Sequence, residues 1–191
     1  MSAIHGLAAL QCAGRERYDR ARSGRALIRV HQEDLCQALG VAPTTKYQAE
    51  GGPGPPEVAA LLRRAMPARV AEAAVWQFTD ALVWNWLIAG TDAHAKNYSV
   101  LLSAGQVRLA PLYDVASALP YGTDERKLRL AMKLGDDYRL NDRRPTLWAK
   151  VAAQLGVRRQ PPRLTPRLGS RRPRTQIRGL TCTFDGGGRG I

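Results

Sequence analysis

Asp92, His94, Lys96 and Asn97 crowd into the run GTDAHAKNYS at residues 90–99. The pattern D-x-H-x-K-N sets a carboxylate, an imidazole, an ammonium and a carboxamide close together on the chain. A second carboxylate, Asp114, follows 22 residues after Asp92. Phosphoryl transfer uses this set of groups. It needs a carboxylate to orient the attacking hydroxyl, oxygen ligands for Mg2+ and cations for phosphate charge. Mg2+ prefers hard oxygen donors, which Asn97 and Asp114 supply. Taken alone, the run also fits a solvated loop, and a single histidine is more often structural than chemical. The order of helix, polar loop, hairpin and carboxylate is what favours a site.

The elements that must hold these groups are legible in the pattern around them. Val75, Phe78, Leu82 and Trp86 recur at spacings of three and four, which predicts a helix over about 69–89. Trp84 and Leu87 widen its apolar face, so burial between other helices is expected, with Trp76, Trp84 and Trp86 in the core. Gly90 is the expected stop. After the polar loop, YSVLL, SAGQ and VRLA read as strand, turn and strand. Upstream, residues 15–30 read as two strands about a turn at Ser23-Gly24. HQEDLCQALG (31–40) reads as a structural helix start rather than a site. Glu33 and Asp34 suit its N-terminus, Leu35, Cys36 and Leu39 form its apolar face, and Gly40 ends it. EGGPGPPE (50–57) is a loop with Pro56 opening a short helix that ends near Pro67. A further helix is expected over about 147–155, capped by Thr146 and ended by Gly156.

Composition narrows the class. At 191 residues and 45% hydrophobic, the chain can build one sizeable core. The net charge of +13 is uneven: residues 158–191 hold nine Arg and one acid, leaving a net of +5 on 1–157. The mildly basic body suits a phosphate-bearing ligand without requiring nucleic acid. The tail has no apolar period and its composition fits a disordered segment. A basic arm for nucleic acid is one reading of it; GC-rich DNA translated out of frame is the plainer one. Cys12, Cys36 and Cys182 make no C-x-x-C pair, so neither a zinc knuckle nor a disulfide framework is supported, and the cytoplasm is the expected compartment. The opening residues lack a basic leader, and the most apolar run, Ala81–Ala89, is too short to span a membrane.

In protein kinases an Asp stands five residues before a metal-binding Asn, and a second metal-binding Asp follows. Asp92, Asn97, the hairpin and Asp114 keep that order. The chain resembles the HipA-type serine/threonine kinases, the toxin half of bacterial HipA–HipB toxin–antitoxin pairs. The resemblance is carried by ERYDR (16–20), HQEDLCQALG (31–40), GTDAHAKNYSV (90–100) and LAPLYDVAS (109–117), with LAMKLGDDY (130–138) a weaker match. It implies an α+β, mainly α-helical fold: a protein-kinase-like C-terminal lobe over 15–157, with a β-hairpin bearing the metal Asp. Residues 1–14 are left unassigned and 158–191 form the basic tail.

The resemblance also implies roles. Asp92 would be the catalytic base. Asn97 and Asp114 would hold Mg2+, flanked by Tyr113. His94, Ala95 and Lys96 would line the phosphate end of ATP, and Glu16, Arg17 and Tyr18 the hinge strand that meets adenine. The implied partners are a Ser/Thr-bearing protein substrate and a HipB-like DNA-binding antitoxin.

Departures accompany the matches. A HipA-type kinase carries a phosphate-clamping loop and a strand Lys ahead of the hinge, and only 15 residues precede Glu16. The prolines of GGPGPP remove amide donors that a phosphate cradle needs. GGGRG (186–190) follows no strand and opens no helix. The expectation is therefore a kinase C-lobe cut at both ends, with weak or no activity alone, since each lost preorganised contact is typically worth ~10²–10³ in rate. A cationic module that binds nucleic acid or an acidic partner through the tail is the alternative. A two-metal phosphohydrolase built on Asp92, His94 and Asp114 has too few ligands.

Overall fold

The computed structural model describes residues 17–122, 124, 126–141 and 146–157. Glu16, the segment 1–14 and the basic tail lie outside the described residues. Strands β1 (Arg20–Ser23) and β2 (Ala26–Arg29) form an antiparallel ribbon. Strands β3 (His31–Asp34), β4 (Ser99–Ser103) and β5 (Gln106–Leu109) form an antiparallel sheet in the order β3-β4-β5. Strands β6 (Arg129–Leu134) and β7 (Asp137–Arg139) make a third small sheet. Helices α1 (Leu35–Ala38), α2 (Pro55–Ala65), α3 (Ala68–Leu87) and α4 (Thr146–Leu155) complete the described elements, with short 3-10 turns at 48–50, 95–97 and 119–121.

The core forms where α3 meets α2 and the sheets. Val75 and Phe78 of α3 and Val58 and Leu62 of α2 are fully buried, together with Leu35, and Leu155 of α4 closes the cluster. Burying each such side chain contributes about 1.5–3 kcal/mol. Helix α2 opens on Pro55, one residue earlier than the spacing suggested. Glu57 folds back to accept from the Gly54 N–H at 3.0 Å, satisfying an otherwise orphaned donor. Arg63 and Arg64 sit in its last turn, where the helix dipole favours cations, and Arg63 reaches Glu72 of α3 at 2.8 Å.

Three expectations change. Residues 31–34 form a strand rather than a helix start, because pairing with 99–102 outweighs the local preference of Glu33 and Asp34. Only Asp34 caps α1, exchanging hydrogen bonds with Gln37, and the helix stops after one turn at Gly40 with φ 67°. The broad apolar face of α3 is not all core: Trp76, Trp84 and Leu87 are 38%, 51% and 57% exposed. Trp86 alone of the three tryptophans turns inward, donating to the Leu140 carbonyl at 2.9 Å and meeting Trp148 of α4 edge-on, ring centroids 5.7 Å apart. Strands β6 and β7 add sheet that periodicity did not indicate, so the mixture of helix and strand is more even than a mainly helical lobe.

Candidate functional site

The polar loop hangs from the C-terminus of α3. The helix is stopped by Ala89, which takes the left-handed conformation at φ 52°, rather than by Gly90. Gly90 serves close packing: a Cβ there would stand 2.5 Å from Asn85 Oδ1. Asn85 is buried and donates to the Ala81 carbonyl and the Tyr98 hydroxyl, both at 3.0 Å. The loop is thus pinned at both ends to one buried network. Residues beyond Asp114 clip to the same helix end, through Ser117 Oγ to the Ile88 carbonyl (2.6 Å) and Ala118 N to the Ala89 carbonyl (3.1 Å).

Asn97 and Asp114 meet. Asn97 Nδ2 donates to Asp114 Oδ2 at 3.3 Å and to its carbonyl at 3.4 Å. Asp114 lies on the segment that follows β5, with φ 53°, a left-handed conformation that costs about 1–3 kcal/mol in a non-glycine residue. No hydrogen bond among the described residues engages Asn97 Oδ1 or Asp114 Oδ1. The Asp114 carboxylate and the Asn97 amide oxygen are donors of the hard type Mg2+ prefers, with the amide nitrogen the Asn97 atom turned toward Asp114. Among the described residues, no group of three or more His, Cys, Asp and Glu side chains is arranged to hold a metal.

Asp92 and His94 make a second group. The Tyr47 hydroxyl donates to Asp92 Oδ1 at 2.6 Å, and the Tyr47 ring meets His94 edge-on at 5.0 Å. His94 Nε2 lies 3.9 Å from the same carboxylate oxygen. His94 is 6% exposed and its Nδ1 is buried without a partner among the described residues. Burial holds its pKa below the ordinary value, and Lys46 adds to this, against opposing influences from Asp92 and Asp114. His94 thus feels both carboxylates. Bonding to Asp92 pushes the Tyr47 phenol up to about 12.

The loop turns a third group the other way. Arg17, Tyr18, Lys96 and Tyr113 line a cavity of about 470 Å³ together with Asp34 and Gln37. Asp92, His94, Asn97 and Asp114 are not in its wall. Lys96 is therefore on the side of Tyr18 rather than beside His94. Ala95 is fully buried and contributes backbone, its N–H reaching the Lys46 carbonyl at 3.4 Å. The Tyr113 hydroxyl fastens the two sides: it donates to the Lys96 carbonyl at 2.6 Å and lies 2.5 Å from Ser99 Oγ, which accepts from Gln32. Burial raises the Tyr113 pKa. Arg17 makes two hydrogen bonds to Asp19, holding that carboxyl well below the usual range.

Lys46 and Tyr47 were not singled out by sequence, since Tyr47 precedes its partner by 45 residues. The available signal was the glycine pair Gly51-Gly52. A Cβ on Gly52 would stand 2.5 Å from the Thr45 carbonyl and 2.7 Å from that of Tyr47, so the loop closes tightly over this segment.

The model of the HipA-like C-terminal domain matches residues 3–173, and the chain belongs to that family. Among individual relatives, a putative kinase, Y4mE, of Sinorhizobium fredii is 41% identical over 143 residues, covering 74% of this chain and 33% of its own. The serine/threonine-protein kinase toxin HipA of Shewanella oneidensis is 30% identical over 133 residues, covering 64% and 30%. A solved chain from the Shewanella oneidensis complex of HipA, HipB and operator DNA superposes with a TM-score of 0.62 at 25% identity, covering 75% of this chain and 35% of that one. The chain spans about a third of the length of these relatives. No helix among the described residues is long and apolar enough to cross a membrane.

Proposed function

We propose that this chain forms the catalytic floor of a HipA-like serine/threonine protein kinase, which moves the γ-phosphoryl group of ATP to a protein Ser or Thr hydroxyl. The observation that carries this reading is the meeting of Asn97 with Asp114 at the end of the loop that begins with Asp92. Asn97 Oδ1 and the Asp114 carboxylate would hold Mg2+, which supplies neutralisation of phosphate charge when bound. Tyr47 fixes Asp92 through Oδ1 and leaves Oδ2 to orient the substrate hydroxyl and take its proton. The buried His94 stands against Asp92, its Nε2 3.9 Å from Oδ1. Arg17, Tyr18 and Tyr113 border the cavity suited to the nucleoside end. A HipB-like antitoxin is the proposed partner, by likeness to the solved complex. A reduced, buried Cys36 suits a cytoplasmic setting.

Calorimetric titration of the chain with ATP tests the reading. Binding should require Mg2+ and should fall at least tenfold in Asp114→Ala. Binding indifferent to both metal and Asp114 would remove the basis for the assignment.

A further inference from the structure

Lys46 stands at the Asp92 end of the loop with no acid of its own among the described residues. Its Nζ lies 5.0 Å from the centroid of the Tyr47 ring. Two contacts fix that ring and a third fixes its backbone. Its hydroxyl holds Asp92 at 2.6 Å, its edge meets His94 at 5.0 Å, and the Tyr47 carbonyl accepts from Gly52 N at 2.9 Å. The Lys46 carbonyl takes the Ala95 N–H, so the backbone carrying the ammonium is tied to the polar loop itself. An ammonium over an aromatic face is attracted to the ring without occupying a carboxylate. It remains free to bind an anion as a compact point charge.

Lys96, by contrast, borders the cavity that also contains Tyr18, Asp34 and Tyr113. The two lysines thus face different parts of one site. The family resemblance places Lys96 at the phosphate end, together with His94 and Ala95. In space, the lysine on the Asp92–His94 side is Lys46.

We infer that Lys46, rather than Lys96, is the cation that meets the terminal phosphoryl group beside Asp92. This rests on the phosphoryl-transfer reading above and adds a binding residue to it. Lys46 touches the transferred group and Tyr47 positions both Lys46 and Asp92.

The test is calorimetric titration of the full 191-residue chain with ATP and with ADP, each with Mg2+. Wild type should prefer ATP. Lys46→Gln should weaken ATP binding about tenfold and leave ADP binding within about twofold, erasing the preference; a tenfold loss corresponds to about 1.4 kcal/mol. Lys46→Arg should restore most of it. Lys96→Gln should weaken both nucleotides alike. Lys46→Met, which keeps the aliphatic stem over Tyr47, replaces Lys46→Gln if thermal unfolding shows the latter to be misfolded. Equal loss of ATP and ADP in the Lys46 variant, or erasure of the preference by Lys96→Gln alone, overturns the inference and leaves the kinase reading standing. A wild type that binds ATP and ADP equally also overturns it. A wild type that binds neither nucleotide overturns both.

Discussion

Two hairpins in this chain begin from the same local device and meet different surroundings. Strands β1 and β2 turn through Gly24-Arg25, with Gly24 at φ 59°; β4 and β5 turn through Ala104-Gly105, at φ 48° and 72°. Each is a two-residue turn that uses left-handed backbone to match the strand twist. The β1–β2 ribbon is exposed almost throughout, and its register sorts Arg20, Arg22 and Arg29 onto one face and Ala21, Ala26 and Ile28 onto the other. The β4–β5 hairpin gains β3 as a third strand and lies against α3. Ser99 at its start is buried and tied to Tyr113. Turn chemistry makes a hairpin in both places. A buried neighbour decides which one can hold the polar side chains at its ends still.

The contrast predicts where substitutions hurt. Phe78→Ala, beneath the β4–β5 side, should cost about 3–5 kcal/mol, read as a fall in the denaturant midpoint. An effect below about 1 kcal/mol would mean that this core does not support the loop. Gly90→Ala should cost about 2 kcal/mol, since the methyl displaces Asn85 and strips its hydrogen bond from the buried Tyr98 hydroxyl. Asn85→Ala in the same background should then add little, because the contact is already lost.

Acid should act on the same side. His94 has a folded pKa below its ordinary 6.5, so the unfolded chain takes up a proton first as pH falls. The stability from burying neutral His94 is complete above about pH 6.5 and declines below it, until the folded pKa is passed. Melting temperatures from pH 8 to pH 5 should show this slope in wild type and a shallower one in His94→Gln. On the ribbon, Leu27→Ser should change stability by less than about 0.5 kcal/mol. A larger loss would show that β2 is packed in solution against something the described residues do not include.

Sequence reasoning succeeded where the cause is local. The loop after a long helix, the two hairpins and the stop at Gly40 follow from polar clustering and glycine chemistry within a few residues, although the first hairpin turns at Gly24-Arg25, one residue later than Ser23-Gly24. It failed where the cause is distant. The strand at His31–Asp34 depends on Ser99–Leu102. Acidic residues next to an apolar helical turn look like a helix start until that pairing is known. Trp84 satisfies the helical period as well as Trp86 does, and only the placement of α4 and Leu140 separates them. Within the site, the in-line spacing of Asp92, His94 and Asn97 was readable. The hydroxyl of Tyr47 and the ammonium of Lys46 come from a different loop and left no periodic trace.

Trp86 and Trp148 give the α3–α4 contact an optical signature. Two indoles 5.7 Å apart with planes at 85° share electronic coupling and an asymmetric environment, so they should dominate the near-ultraviolet circular dichroism. Exposed Trp76 and Trp84 contribute mostly averaged, solvent-like absorption. Detachment of α4 should therefore extinguish the near-ultraviolet bands while the far-ultraviolet helical signal changes little, giving an intrinsic, label-free gauge of whether this helix is seated.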